Sequence, residues 1–251
     1  IIPIEQIIFH PNKKNQKFIF LNKKIKKHQY VRFAGSDFKK NDLIIKKATI
    51  LNPNHVLALK SLGINKIKVK KRPNILFFST GNELSNQPKI PKWKVRNSNS
   101  HYIESLSNNY SFNFKNGGIL RDKDELTFKK NIKKMFNSKI DIIITSGAVS
   151  AGKFDFIPSV VRKLNLSDYF KGVAIRPGKP ILFAKIKGKQ KAIFGLPGNP
   201  ISSAACLRFF VYPYLLNLFG MKDEKPIKAI LKNTFSKKKN FTRFVKSKIN
   251  T

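Results

Sequence analysis

Four short clusters carry residue types that chemistry uses. Ser79-Thr80-Gly81-Asn82-Glu83-Leu84 joins a hydroxyl, a glycine and a carboxylate. Gly81 lets backbone N–H groups approach an anion, and Glu83 offers a ligand for a divalent cation. Thr145 to Asp155 is a run of small and hydroxylated residues, including Ser146, Gly147, Ser150 and Gly152, that suits a phosphate cradle. Asp155 adds a carboxylate at its far end. Lys171 to Pro180 places Lys171, Arg176 and Lys179 on a segment stiffened by Pro177 and Pro180, which suits an oxyanion. Gly195-Leu196-Pro197-Gly198-Asn199-Pro200 is a tight turn that delivers the chain to a helix N-terminus, a second place for an anion. Each cluster taken alone reads equally as a structural turn.

The elements around these clusters give them a common position. Pro73 to Gly81 and Ile140 to Ser146 are apolar runs ending in polar, glycine-containing turns, the pattern of strands buried on both faces. Phe112 to Leu120 is a further strand candidate. Short strands are expected at Val173–Ile175, Ile181–Ala184 and Ala192–Phe194. Helices are expected after Asn97-Ser98-Asn99, over Asp124 to Phe136, near Ile157 to Leu164, and from Asn199 or Ser202 to Gly220. Strands alternating with helices predict a parallel α/β sheet, whose ligands sit beyond the carboxyl ends of its strands. Three of the four clusters follow such strands. Residues 1–72 read as β-rich, with runs at Phe18–Leu21 and Ile44-Ile45, alternation at Ile67/Val69, and one helix opened by Asn52-Pro53 and stopped at Gly63. Residues 73–222 form the α/β domain. Residues 223–251 are Lys-rich and read as the start of a third, β-type domain.

Composition narrows the function classes. The 251 residues are 41% apolar, enough for a real core. The single Cys206 excludes a disulfide framework and a multi-cysteine zinc site, and it reads as a core residue. His10, His28, His55 and His101 lack metal-ligand spacing, and no GxxxxGK[ST] loop occurs. No uninterrupted apolar run approaches the roughly 18–20 residues of a membrane span. Ile1 in first position, with no signal-like segment behind it, reads as a cytosolic chain whose start lies upstream. A net charge of +38 invites a nucleic-acid reading. Against it, only 8 of the 51 Lys and Arg are Arg, the residue suited to phosphate and base recognition. Lys, Asn, Ile and Phe, all with A/T-rich codons, make nearly half of the chain. The charge therefore reads chiefly as compositional background.

In this order the clusters resemble the molybdopterin molybdotransferase family, that is, MoeA-type proteins and the E domain of gephyrin. The likeness begins at Ile1-Ile2-Pro3-Ile4-Glu5 and includes Gly35-Ser36-Asp37-Phe38, Ser79–Leu84, Ser98-Asn99-Ser100 and Arg121-Asp122. It continues through Ser146–Asp155, Arg176–Pro180 and Gly195–Pro200. No single motif is specific; the ordered set is.

The resemblance implies an enzyme that inserts molybdate into adenylylated molybdopterin with a divalent cation such as Mg²⁺, releasing AMP. It implies a molybdopterin-binding α/β domain flanked by a β-rich domain and the start of a C-terminal β-barrel, with family sequence missing at both ends. It implies site roles for Asp37, Glu83, Asp122, Asp155, Lys171 and Arg176, with Glu83 and Asp155 toward the metal. Thr80, Gly81, Ser146, Gly147, Ser150, Gly152, Lys179, Pro197, Gly198 and Asn199 would bind the cofactor. It also implies a homodimer in which Asp37 acts from the partner subunit, and contact with the molybdopterin adenylyltransferase. Three departures stand out: Ala148 for a second Gly, Asn82 for a frequent Asp, and Arg176 for a common Lys. The competing readings are a molybdopterin adenylyltransferase-like or other nucleotide-linked enzyme of the same α/β superfamily, a nonspecific nucleic-acid-binding protein, and a non-catalytic relative.

Overall fold

The computed structural model describes residues 1–149, 155–236 and 239–248. The chain divides into two compact units, Ile1–Lys66 and Ile67–Thr251.

In the first unit, β1 (Ile7–Pro11) and β2 (Gln16–Leu21) form an antiparallel hairpin. Helix α1 (Pro53–Ser61) starts and stops where the sequence predicts. The Asn52 side chain accepts the His55 N–H while His55 Nδ1 accepts the Asn52 N–H, each at 3.1 Å, so two orphan donors are satisfied reciprocally. At the other end the N–H of Ile64 reaches the Leu59 carbonyl and that of Gly63 reaches Lys60, with Gly63 at φ +72. This is the pairing that closes a helix through a left-handed glycine. The hairpin is the only strand structure among the described residues of this unit. Ile44-Ile45 is irregular, and so is Ile67/Val69 at the start of the second unit. Ile67 and Val69 alternate with Lys66, Lys68 and Lys70, and no neighbouring strand pairs with them.

The second unit is built on β3 (Asn74–Thr80), β6 (Asn113–Leu120), β7 (Ile142–Ser146), β8 (Leu166–Lys171), β10 (Leu182–Ile186) and β11 (Ala192–Leu196). Two-residue pieces β4 (Leu84–Ser85), β5 (Val95–Arg96) and β9 (Ile175–Arg176) lie in the loops. The sheet order is β6-β3-β7-β11-β10-β8. The first four strands are parallel, as expected, but β10 runs antiparallel to both neighbours. The turn between β10 and β11 is too short for the crossover that a parallel pair requires. Strand β8 is absent from the sequence reading, because Asn165, Ser167 and Asp168 look like a turn; they are tolerated on an edge strand.

Alternate residues of the central strands feed two cores. Leu76, Phe78, Ile143 and Ile193 pack with Phe128, Ile132 and Met135 of α3 (Glu125–Phe136) and Ile157 and Val161 of α4 (Phe156–Arg162). Ile75, Phe77, Ile142, Ile144 and Phe194 pack on the opposite face with Ile103 of α2 (Ser98–Ser105) and with the last long helix. That helix runs as α5 (Pro200–Cys206), a π turn (Leu207–Val211) and α6 (Tyr212–Phe219), ending at Gly220 with φ +70. Its 20 residues are long and apolar enough to cross a membrane by length and composition alone. Cys206, Leu207, Val211 and Leu215 on this helix are nonetheless buried in the sheet-facing core. The expected C-terminal barrel is represented, among the described residues, only by β12 (Thr242–Arg243), which pairs with β9. Phe244 beside it stacks on Phe209 with ring centroids 4.0 Å apart.

Burial pushes the Cys206 thiol and the Tyr214 hydroxyl up to about 12, from ordinary values of 9.0 and 10.0. Both groups hold their protons more tightly folded than unfolded. Their contribution to stability is whole below about pH 9 and fades as the pH climbs toward 12. The urea-midpoint advantage of the natural chain over Cys206→Ala is therefore expected to shrink across that window. An advantage that grew from pH 9 to 12 would contradict the burial of Cys206.

Candidate functional site

Helices α2 and α3 leave β3 and β6 and pack on opposite faces of the sheet. The chain order therefore reverses at β3, and a crevice opens between the carboxyl ends of β3 and β7. Those ends carry Thr80 and Ser146, and the Thr80 hydroxyl donates to the Ser146 carbonyl at 3.0 Å.

A third strand end joins them. Ser146 Oγ donates to the Pro197 carbonyl at 3.2 Å, beyond β11. Asn99 Nδ2 donates to Ser146 Oγ at 2.6 Å and to the Gly198 carbonyl at 2.9 Å. One buried amide on α2 therefore ties the β7 and β11 loops together. Gly147 has φ +101, and a side-chain carbon there would lie 2.5 Å from both the carbonyl and the hydroxyl oxygen of Thr80. Only glycine allows this approach. Ala148 follows at φ +50, a left-handed conformation that the substituted Gly would adopt without strain. Asn199 caps α5 through the Ser202 N–H at 3.2 Å, ahead of Pro200. Thr145 Oγ1 and Ser203 Oγ are buried without a hydrogen-bond partner among the described residues.

A cleft of about 50 Å³ opens here, with Thr80, Glu83, Asn99, Ser146 and Gly198 in its walls. Glu83 is the sole carboxylate lining it among the described residues. Its carboxylate folds back to within 2.4 Å of where a Gly81 side chain would stand. No group of three or more potential protein ligands for a metal occurs among the described residues. That donor set fits Mg²⁺ better than zinc, since Mg²⁺ takes one or two carboxylates, substrate phosphates and water.

The structure does not gather all the predicted residues into this cleft. Asp122 stands behind it, bound to Asn82. Asp155 immediately precedes α4, outside the cleft lining. Ser150 and Gly152 lie outside the described residues. Asp37 belongs to the other unit, where it pairs with Arg32 beside a cavity of about 720 Å³ whose walls include Gly35, Asn54 and Leu57.

Lys171, Arg176 and Lys179 occupy a separate cationic loop, fixed by Val173 N–H to Lys179 O at 2.9 Å and Ile181 N–H to Gly178 O at 3.1 Å. Lys179 Nζ lies 5.8 Å from the Phe241 ring centroid. The strand register sets its distance from the cleft. Phe78, Thr145, Gly195, Leu182 and Lys171 form one row across the sheet. At roughly 4.8 Å per strand, three steps put Lys171 about 14 Å from Thr145.

Two contributors escaped assignment from sequence. Asn99 lies in the Ser98-Asn99-Ser100 motif, and Arg121 in Arg121-Asp122, but nothing in either spacing reveals which carbonyls they bind.

Comparison with known proteins agrees with this geometry. Residues 77–217, more than half of the chain, match the model of a probable molybdopterin binding domain. A molybdopterin molybdenumtransferase of Staphylococcus aureus strain COL is 32% identical over 232 residues, covering 91% of this chain and 54% of that protein. Two solved structures of a molybdopterin biosynthesis MoeA protein from Pyrococcus horikoshii superpose. One has TM-score 0.61 at 31% identity, over 73% of this chain and 45% of the other. The second has TM-score 0.62 at 26% identity, over 89% and 52%. The chain spans about half the length of the curated relatives it matches. It belongs to the molybdopterin-binding-domain family, as one of that family's MoeA-type members.

Proposed function

We propose that the protein is a molybdopterin molybdenumtransferase, taking adenylylated molybdopterin and molybdate as substrates and releasing AMP in molybdenum cofactor biosynthesis. The convergence of Thr80, Glu83, Asn99, Ser146 and Gly198 on one cleft, inside the stretch matching the molybdopterin binding domain, carries this reading. The loops after β7 and β11 take the substrate's anionic groups through hydroxyl and backbone donors. The cationic loop takes an oxyanion at its own end of the sheet. Glu83 on the cleft wall would hold Mg²⁺, joined by Asp155 from the start of α4, and the ion would supply polarisation of the phosphate being released. Asp37 completes the site from the partner subunit of a cytoplasmic homodimer, which receives its substrate from the molybdopterin adenylyltransferase.

The test is a titration of the chain with adenylylated molybdopterin and Mg²⁺ at low salt and at about 0.3 M salt, where diffuse electrostatic binding is screened. Saturable binding that persists at the higher salt is the expected result. Binding of an RNA oligomer alone, lost steeply with salt, would replace this reading with a nucleic-acid one.

A further inference from the structure

Outside the cleft lining, a set of contacts holds the loop that carries Glu83. Arg121 Nη1 donates to the carbonyls of Gly81 at 2.8 Å, Asn82 at 3.2 Å and Leu84 at 3.0 Å. These three carbonyls bracket Glu83. Arg121 is itself fixed, because its N–H donates to Asp124 Oδ2 at 2.7 Å and its carbonyl accepts the Asp124 N–H at 2.9 Å. Asp122 engages the same loop from the next position. Asn82 Nδ2 donates to Asp122 Oδ2 at 2.6 Å, and Asn82 Oδ1 accepts the Asp122 N–H at 3.3 Å. Both ends of one amide are thereby used by one residue. The Gly81 N–H adds a bond to the Leu120 carbonyl at 3.1 Å. Glu83 is the loop's acidic residue and lines the cleft.

We infer that Arg121 and Asp122 are positioning residues that lock the Gly81–Leu84 loop and present Glu83, and that Asp122 is not a metal ligand in this chain. The inference deepens the molybdenumtransferase reading and rests on it for the role of Glu83. Its chemical basis is the identity of residue 82. A carboxylate at 82 facing Asp122 at this distance would need a proton or a cation between the two. The Asn82 amide supplies an N–H instead, directed at the oxygen where a cation would sit. A locked loop carrying one carboxylate results, in place of a two-carboxylate cation site.

The experiment compares Asp122→Asn, Asp122→Ala, Arg121→Ala and Glu83→Gln in the full chain. Amide hydrogen exchange is read on the peptide covering residues 81–84 and on a control peptide in β7. Mn²⁺ uptake is read in the presence of adenylylated molybdopterin. Asp122→Asn keeps an oxygen able to accept from Asn82, so loop exchange and Mn²⁺ affinity should stay within about 3-fold of the natural chain. Arg121→Ala and Asp122→Ala should each exchange the loop about 5- to 10-fold faster with β7 unchanged, the loss expected for one or two hydrogen bonds. Glu83→Gln should lose Mn²⁺ uptake with the loop still protected. Loop exchange unchanged in Arg121→Ala, or Mn²⁺ uptake as low in Asp122→Asn as in Glu83→Gln, overturns the inference. A natural chain that takes up no adenylylated molybdopterin overturns the functional reading instead, and the exchange results still decide the lock.

Discussion

Gly147→Val should lower the stability of the chain by about 2–6 kcal/mol and abolish cofactor binding. Two costs combine. Residue 147 holds φ +101, a conformation that costs a β-branched residue on the order of 1–3 kcal/mol. The new side chain would also stand 2.5 Å from the Thr80 carbonyl oxygen, a backbone atom that cannot swing aside. Overpacking of that kind costs a further ~1–3 kcal/mol. The affected atoms bridge β3 and β7, so the crevice must deform to accept the change. Gly188→Ala is the control. Gly188 has φ +70 but nothing within 4 Å of the added carbon, so it should lose only about 1 kcal/mol. Urea unfolding of both variants measures the difference. Equal midpoints would show that the close approach at Gly147 is not a constraint.

Glu83→Gln should reduce molybdate insertion about 100-fold or more while leaving the unfolding midpoint within about 0.5 kcal/mol of the natural chain. Glu83 is exposed and its carboxylate accepts no hydrogen bond among the described residues, so its removal breaks nothing in the fold. Gln keeps the shape and removes the charge. Raising the Mg²⁺ concentration should recover part of the lost rate, because the defect lies in holding the ion. A loss of rate that Mg²⁺ does not touch, accompanied by a lowered midpoint, would assign Glu83 a structural role.

The sequence spoke most clearly where one physical signal dominated. The runs around Ile75–Phe78 and Ile142–Ile144 are apolar on both strand faces because helices cover both, and the structure buries every one of these residues. Asn52-Pro53 and Asn199-Pro200 announced helix starts through capping chemistry, which is local. Strand β8 was hidden because an edge strand tolerates Ser167 and Asp168, and the antiparallel run of β10 because strand direction leaves no mark on composition. The site divides the same way. Thr80, Glu83, Ser146 and Gly198 could be placed together from their positions after parallel strands. The hub role of Asn99 could not, since its partners lie 47 and 99 residues away along the chain. Asn82 looked like a lost carboxylate, and only its contact with Asp122 shows what the amide does.

The row of residues from Thr145 to Lys171 acts as a ruler. Its two ends differ in chemistry, with hydroxyl and backbone donors at the crevice and fixed cations about three strand widths away, roughly 14 Å. A compact oxyanion reaches one end or the other and gains only half of the available attraction. A ligand carrying negative charge at both ends of a long body gains both. The rigid spacing of hydrogen-bonded strands thus holds two chemically different sets of donors at a fixed separation, so that the length of a bound anion would decide how many of them it meets.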